Sequence, residues 1–305
     1  MSTDDEGKEV SVCANCGKGE EESGNLKSCT ACKSVKYCSR DCQIAHRPQH
    51  KKECRRRAAE LHDEKLFKQP PPEEDCPICF VLLPLLQSGS KYQTCCGKVV
   101  CSGCIHAPLY DNQGKEVDNQ KCPFCRTLTP KSTEAIERLP KRVEADDPIA
   151  MGTLGSYYGY GMKGYPRDHA KAIDLWHQAG ELGLAKSYTN IGIAYDRGHG
   201  VEVDKKKANY YLELAAMGGD TAARHNLGSI EARAGNIDRA LKHFMIAVRG
   251  GHAYSLDAIK SLYMDGHAAK EDYTKALQSY QVYLSEIKSD QRDRAAAYSD
   301  RYRYY

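Results

Sequence analysis

The sequence has no long hydrophobic run. Its longest apolar stretch, FVLLPLL at residues 80–86, contains a proline, whereas a membrane-spanning helix needs about 20 apolar residues. The first ten residues, MSTDDEGKEV, are acidic and polar, which predicts that no signal peptide is present. We therefore expect an intracellular protein, cytoplasmic or nuclear, that does not contact a membrane.

Cysteine is absent from residues 126–305, although the chain has 15 cysteines among its 305 residues. All of them lie between Cys13 and Cys125, and most stand in CxxC pairs. In an intracellular chain, clustered CxxC pairs are typical of metal sites rather than of disulfides. No glycine-rich phosphate loop and no Ser/His/Asp arrangement stands out, so the motifs do not predict a nucleotide-binding or hydrolytic site.

The net charge of +3 is weak support for nucleic-acid binding. Metal ligation deprotonates thiols, so 15 thiolates with four Zn²⁺ ions would bring the net charge to about −4. The hypothesis of a nucleic-acid-binding regulator then depends on two segments, the basic run KKECRRR at residues 51–57 and the Arg/Tyr-rich residues 288–305. Because a basic run is usually a solvated face, we keep this function only as a third hypothesis.

Residues 13–54 contain eight potential metal ligands, with the spacing C-x2-C-x12-C-x2-C-x5-C-x3-C-x7-H-x3-C. Eight ligands make two tetrahedral sites, and a CxxxC or HxxxC pair lies on one helical face. His46 follows Cys42 by four residues and is the alternative to His50, which the HxxxC pair favours. The predicted ligands are Cys13, Cys16, Cys29, Cys32, Cys38, Cys42, His50 and Cys54.

This spacing and the segment YCSRDCQ resemble the MYND zinc finger, a fold in which the ligand pairs interleave. The resemblance implies two structural zinc ions, because four protein ligands close each site. It also implies that the finger binds short proline-containing peptides. The implied ligand groups are Cys13, Cys16, Cys38 and Cys42 for one zinc, and Cys29, Cys32, His50 and Cys54 for the other.

A second cluster at residues 75–127 contains CPICF at 76–80, TCCGKVVCSGC at 94–104 and CPFCR at 122–126, again with eight potential ligands. This pattern resembles the RING finger, another interleaved two-zinc fold. RING fingers usually place a histidine where Lys98 stands, so the extra thiol of Cys95 predicts an all-cysteine variant, with a sharp turn at Gly97. The alternative uses one cysteine of the adjacent pair together with His106. The implied groups are Cys76, Cys79, Cys101 and Cys104 for one zinc, and Cys95, Cys96, Cys122 and Cys125 for the other.

RING domains of ubiquitin ligases have no catalytic nucleophile. They bind a ubiquitin-charged conjugating enzyme and hold its thioester in a reactive pose. The resemblance therefore implies roles for three residues that are not ligands, namely Ile78, Pro123 and Arg126. Ligases often place a helix with a large apolar contact in the segment that corresponds to residues 105–121, which here is polar and loop-like, with only Leu109 and Tyr110 as candidates.

The cysteine-free half contains a repeat in which Gly155, Gly192 and Gly228 recur at steps of 37 and 36 residues. Alanines 172, 208, 240 and 276 open the second half of each of four units. Each unit predicts two helices, and such units must stack as a solenoid to bury their apolar faces. The GHGV and DK residues at 198–205 resemble the Sel1-like repeat, a relative of the tetratricopeptide repeat and a scaffold for other proteins. Trp176 and the tyrosines are expected in the core.

The predicted fold is therefore two small zinc-stabilised modules, MYND and RING-like with a cross-brace, followed by an all-α Sel1-like solenoid. We expect a RING-type E3 ubiquitin ligase whose MYND finger and repeats recruit substrate or scaffold proteins; the second hypothesis is a non-enzymatic adaptor. The predicted segments are a disordered N-terminus at 1–12, the MYND finger at 13–54, a helix and Pro-rich linker at 55–74, the RING-type finger at 75–127, a linker at 128–147, the repeats at 148–287 and a tail at 288–305, for which disorder is the favoured expectation.

Overall fold

The computed structural model describes residues 11–72, 74–85, 87–109, 115, 117, 120–130 and 132–305. The chain forms two compact units, residues 1–68 and 69–305. Residues 1–10 of the predicted disordered N-terminus lie outside the described residues, and so do residues 110–114, 116, 118 and 119 of the predicted loop at 105–121, which include Tyr110.

The first unit is a zinc-finger-sized module followed by one long helix. Its small core consists of Cys13, Cys29, Cys32 and Tyr37. Ser39 begins the long helix, since its side chain accepts a hydrogen bond from the Cys42 amide. The helix runs past the predicted boundary at residue 54 without a break, with Pro48 inside it. The elements are α1 (Glu20–Ser23), β1 (Lys27–Ser28), β2 (Lys36–Tyr37) and α2 (Arg40–Leu66).

The second unit begins with an antiparallel hairpin and a short helix. In the hairpin Ser90 pairs with Cys101 and Gln93 pairs with Lys98. Residues 128–147, predicted to be a linker, contain two short helices instead. The elements are β3 (Ser90–Gln93), β4 (Lys98–Cys101), α3 (Ser102–His106), α4 (Ser132–Glu137) and α5 (Leu139–Val143).

Eight helices follow and pack as four consecutive antiparallel pairs, as the repeat predicted. The recurring glycines lie at helix crossings: a Cβ at Gly155 would come within 2.8 Å of Trp176, and one at Gly228 within 2.6 Å of Phe244. Trp176 is buried, as expected. None of the helices among the described residues is long and apolar enough to cross a membrane. The eight are α6 (Pro148–Tyr160), α7 (His169–Glu181), α8 (Ala185–Arg197), α9 (Lys205–Met217), α10 (Thr221–Arg233), α11 (Ile237–Arg249), α12 (Ala253–Met264) and α13 (Lys270–Glu286).

The C-terminal segment is ordered, which corrects the expectation of a disordered tail at 288–305. Residues Asp290–Tyr298 form α14 and pack against α3. Arg292 is fully buried and donates to the carbonyl oxygens of Leu82 at 2.7 Å, Ile287 at 2.6 Å and Val81 at 3.1 Å. Arg292 therefore forms a structural contact, whereas Arg294, Arg301 and Arg303 of the same segment are exposed.

One acidic residue joins the hairpin to the repeats. Asp147 caps α6, accepting from the amides of Ile149 and Ala150. The other oxygen of its carboxylate accepts from the Tyr92 hydroxyl at 2.8 Å and from Arg142 Nε at 3.0 Å. The second cysteine module and the solenoid are thus packed together within one unit.

Candidate metal centres

The structure groups the eight predicted ligands of the first unit into two interleaved sets. In each set the ligand atoms lie within 4.8 Å of one another. The Sγ atoms of Cys16 and Cys38 are 3.6 Å apart, and those of Cys29 and Cys54 are 3.7 Å apart. His50 Nε2 lies 3.2 Å from Cys32 Sγ. The sets are Cys13, Cys16, Cys38 and Cys42, and Cys29, Cys32, His50 and Cys54.

His46 lies outside both sets. Its Nδ1 is 3.1 Å from the Tyr37 hydroxyl, and its ring stacks on that of His50 with 5.5 Å between centroids. The two histidines are one helical turn apart on the same face of α2, and it is the His50 ring that lies beside the Cys32 thiol. In this geometry His50 is the ligand candidate, and His46 holds the side chain of Tyr37.

The second unit contains two further interleaved sets, again with all ligand atoms within 4.8 Å. The Sγ atoms of Cys79 and Cys101 are 3.7 Å apart, and those of Cys95 and Cys125 are 3.5 Å apart. The predicted groups are thus brought together in space. The sets are Cys76, Cys79, Cys101 and Cys104, and Cys95, Cys96, Cys122 and Cys125.

The sulfur separations fit zinc. A tetrahedron with Zn–S bonds of about 2.3 Å has edges of about 3.8 Å, and the hydrogen-bonded Sγ pairs of the four sets are 3.5–4.0 Å apart. All 15 cysteines are free thiols. Four soft ligands at tetrahedral spacing leave no open position for a reactant, so zinc here would be structural.

The adjacent cysteines share a site because the chain turns sharply between β3 and β4. The amides of Cys96 and Gly97 both donate to the Gln93 carbonyl oxygen, at 3.2 and 2.8 Å. Gly97 adopts a left-handed φ of +74°. Lys98 is exposed at the start of β4. The turn therefore directs both thiols to one set while the side chain of Lys98 stays in solvent.

His106 does not join this set. It is buried on α3, and its ring packs against Tyr298 at 5.0 Å and Tyr302 at 5.4 Å between centroids. Burial, followed by the charge of Arg294, lowers the pKa of this imidazole. The alternative in which His106 is a metal ligand is therefore not supported, because its ring packs against two tyrosines rather than beside the thiols.

Crowding separates the pKa values of the thiols within each set. Backbone hydrogen bonds, first from Cys16, lower the pKa of Cys13 to about 6, whereas hydrogen bonds, first with Cys42, raise the pKa of Cys38 to about 12. In the second unit the Thr127 hydroxyl lowers the pKa of Cys125 to about 6. Neighbouring thiols cannot all ionise without a cation, so the chemistry of these sets fits a divalent metal.

Four CxxC turns share one backbone geometry. The residue after the second cysteine has a φ between +55° and +74° in every case. Its amide donates to the carbonyl oxygen of the first cysteine at 2.9–3.0 Å. The conformation of Arg126 is thus set by the metal turn, with its side chain exposed. The four residues are Gly17, Lys33, Phe80 and Arg126.

The remaining implied contact residues lie beside these turns. Ile78 packs partly buried against the core of the second module, and Pro123 is half-buried. Three exposed apolar side chains lie in or beside these turns, and hydrophobic periodicity does not predict them because it does not report exposure in loops. These are Phe80 at 78% exposure, Leu128 at 67% and Phe124 at 41%.

Known families match two parts of the chain. The MYND finger family matches residues 13–54, and the Sel1 repeat family matches residues 148–184 and 185–220. Neither match covers residues 75–127. The chain therefore has a MYND zinc finger, which implies zinc, followed by a helical Sel1 solenoid, and both indicate protein–protein interactions.

Individual relatives are similar to part of the chain. The ERAD-associated E3 ubiquitin-protein ligase component HRD3B of Arabidopsis thaliana is 31% identical over 113 residues, which is 36% of this chain and only 17% of that protein. A Sel1 repeat protein from Oxalobacter formigenes is 26% identical, over 57% of this chain and 68% of its own, with a TM-score of 0.43. A protective antigen of uropathogenic Escherichia coli with an SLR fold is 23% identical, over 56% and 37% of the two chains, with a TM-score of 0.43.

Proposed function

We propose that the protein is a RING-type E3 ubiquitin ligase in which the MYND finger and the Sel1 repeats recruit proteins. The observation that carries this proposal is the second cysteine module. Its eight thiols form two interleaved sets, with four thiols on the hairpin and the short helix and four in the flanking CxxC turns. Interleaving fixes the two CxxC turns, and hence Ile78 and Pro123, relative to one another.

In this mechanism the module positions its partners and forms no covalent bond. A conjugating enzyme carrying ubiquitin as a thioester docks beside Ile78 and Pro123. Arg126 donates hydrogen bonds from its planar guanidinium to ubiquitin and the enzyme together. The thioester is then held in a pose that a substrate lysine can attack. Phe80, exposed after the first turn, adds apolar surface for the docked enzyme.

A non-enzymatic adaptor is the second candidate, and one observation favours it. The side of α3 that carries His106 is already covered by Tyr298 and Tyr302 of the same chain. That surface is closed to a conjugating enzyme. The name of the Arabidopsis relative, a component of a ligase, is compatible with either candidate.

The nucleic-acid hypothesis loses support from the basic run. Arg56 forms ion pairs with Glu53 and Glu60 on the same helix. Arg57 pairs with Glu60 at 3.1 Å and with Glu64 at 2.9 Å. These arginines therefore form a solvated, internally neutralised helix face.

The test is discharge of ubiquitin from a panel of charged conjugating enzymes to free lysine. We expect faster discharge with the wild-type chain and not with Arg126→Ala or Cys96→Ser. Lys33→Ala is the matched control, since it removes a cation from the same position of a CxxC turn, at a φ of +58°. A discharge rate with the wild-type chain no higher than the rate without it would remove the ligase role and leave the adaptor. Equal stimulation by wild type and Arg126→Ala, at equal zinc content, would instead remove only the role of Arg126.

A further inference from the structure

A cavity of about 200 Å³ lies within the second unit. One side is the segment Gln69–Pro72. The other sides are the first turn of α10, the end of α11 and the end of α13. The prolines of this segment contact the turn between α9 and α10: a Cβ added at Gly219 would lie 3.8 Å from Pro71. None of the residues predicted from the sequence to bind metal or protein lines this cavity.

Arg224 of α10 lines the cavity with an uncompensated charge. The residue is 1% exposed, and its Nε, Nη1 and Nη2 atoms have no hydrogen-bond partner among the described residues. Burial alone lowers the pKa of Arg224 to about 10, so the guanidinium is still charged at neutral pH. A buried charge without a partner destabilises a fold, so the burial of this arginine points to a ligand that pairs with it.

The neighbouring residues define the charge of that ligand. Asp220 caps α10, and its Oδ1 accepts from the Ala223 amide at 2.7 Å and from Thr189 at 2.8 Å. At the rim, Arg249 adds a second positive charge and Glu286 adds a negative one. The three charged lining residues thus have a net charge of +1, which a single negative charge neutralises and a dianion exceeds.

We propose that this cavity binds a carboxylate group of a peptide. Arg224 would pair with the carboxylate inside the cavity, and Arg249 would contact it at the rim. A planar guanidinium matches a carboxylate through two parallel hydrogen bonds. Leu82, Ala216 and Ile246 form apolar walls beside it, so the carboxylate would be attached to a small apolar group. A chain-terminal residue and an acidic side chain both have this chemistry, and the test separates them.

The test uses the zinc-loaded full chain with ¹⁵Nε-labelled arginine, and follows the Arg224 Nε–H signal by NMR. The probes are N-acetyl-leucine for a chain terminus and N-acetyl-glutamic acid α-amide for a side chain. N-acetyl-leucinamide is the neutral control. We expect one of the two carboxylates to shift the signal saturably, and at least tenfold more tightly than the neutral amide, because charge-assisted hydrogen bonds are lost in the amide.

Two substitutions test whether the probes bind at Arg224. Arg224→Met should abolish saturable binding, measured by calorimetry, and should raise Tm in the absence of probe because it removes an unpaired buried charge. Arg197→Met is the matched control, since Arg197 ends α8 and is outside the cavity. Binding that persists in Arg224→Met, a Tm that falls in this variant, or inorganic phosphate that binds as tightly as the carboxylates would each overturn the proposal.

Discussion

Two arginines are fully buried in the second unit, and they differ in what their guanidinium groups contact. Arg224 has no partner among the described residues, whereas the terminal nitrogens of Arg292 donate to three carbonyl oxygens. Arg292→Met should therefore destabilise the second unit by roughly 2–4 kcal/mol, since it leaves buried carbonyl groups unsatisfied. Urea unfolding followed by circular dichroism would measure this loss.

Arg294 on the same helix supplies the control for that prediction. It is exposed, and its Nε donates only to the Asp290 carbonyl oxygen. Arg294→Met should change the free energy of unfolding by less than about 0.5 kcal/mol. Similar losses for the two variants would mean that helix propensity or net charge, and not the buried hydrogen bonds, stabilises α14.

Gly97 lies at the turn that makes the all-cysteine set possible. Its φ is +74°, and a Cβ there would overlap the Arg142 guanidinium and come within 2.6 Å of Asp147. Gly97→Ala should thus destabilise the second unit by more than the ~1 kcal/mol that a left-handed alanine costs. The same variant should release zinc from the Cys95 set at a lower chelator concentration.

Gly17 is the matched position in the first unit. It has the same φ of +74°, but nothing lies within 4 Å of an added Cβ. Gly17→Ala should show the backbone cost alone. If both variants lost the same stability, the close approach of Arg142 to the hairpin would have no energetic effect.

At the level of elements, the sequence predicts what local spacing determines. The spacing of the cysteine pairs predicts the metal-ligand sets, and the repeating glycines predict the helix pairs. Both patterns act within about 40 residues of the chain. The helices at 132–143 and α14 were not predicted, because their packing depends on distant partners. The contact of Arg292 with Leu82 joins residues 210 apart in the chain. Polar composition indicated a linker at 128–147 and a disordered tail at 288–305. Contacts with residues distant in the sequence stabilise helices in these segments instead.

The hairpin is joined to α6 through Asp147, and this junction can be tested. Burial opposes ionisation, but Arg142 and Tyr92 outweigh it and lower the pKa of Asp147. Asp147→Asn should destabilise the second unit by about 1–3 kcal/mol. A group with a lowered folded-state pKa contributes its full stabilisation above its unfolded pKa of about 4. The loss should hence be constant between pH 6 and 8, and a loss that varies with pH there would contradict the assignment.

Tyr92→Phe provides the partner for a double-mutant cycle. The Tyr92 hydroxyl and Arg142 Nε donate to the same carboxylate oxygen of Asp147. The effects of the two substitutions should be less than additive, because each removes the same contact between hairpin and helix. Strict additivity would show that Asp147 acts only as the cap of α6.

For the whole molecule, the four ligand sets predict four zinc ions per chain, measured by elemental analysis of purified protein. His50→Ala should lower the ratio to three, since it removes a ligand from the second set. His46→Ala should leave four, although it removes a contact with Tyr37. A ratio that falls with His46→Ala and not with His50→Ala would reverse the ligand assignment on α2.

Removal of zinc should affect parts of the chain unequally. The core of the first unit consists largely of metal ligands, with Tyr37 as the one buried side chain among them that is not a cysteine. The repeats instead bury clusters such as Trp176 with Ile173 and Ile191, which contain no cysteine. A strong chelator should therefore unfold the first finger outright, because metal binding supplies its folding free energy. The helical signal of α6 to α13 should persist, with a lower Tm where the hairpin no longer supports α6. Hydrogen exchange measured by mass spectrometry would resolve the two responses, and loss of protection throughout the repeats would show that their stability also depends on zinc.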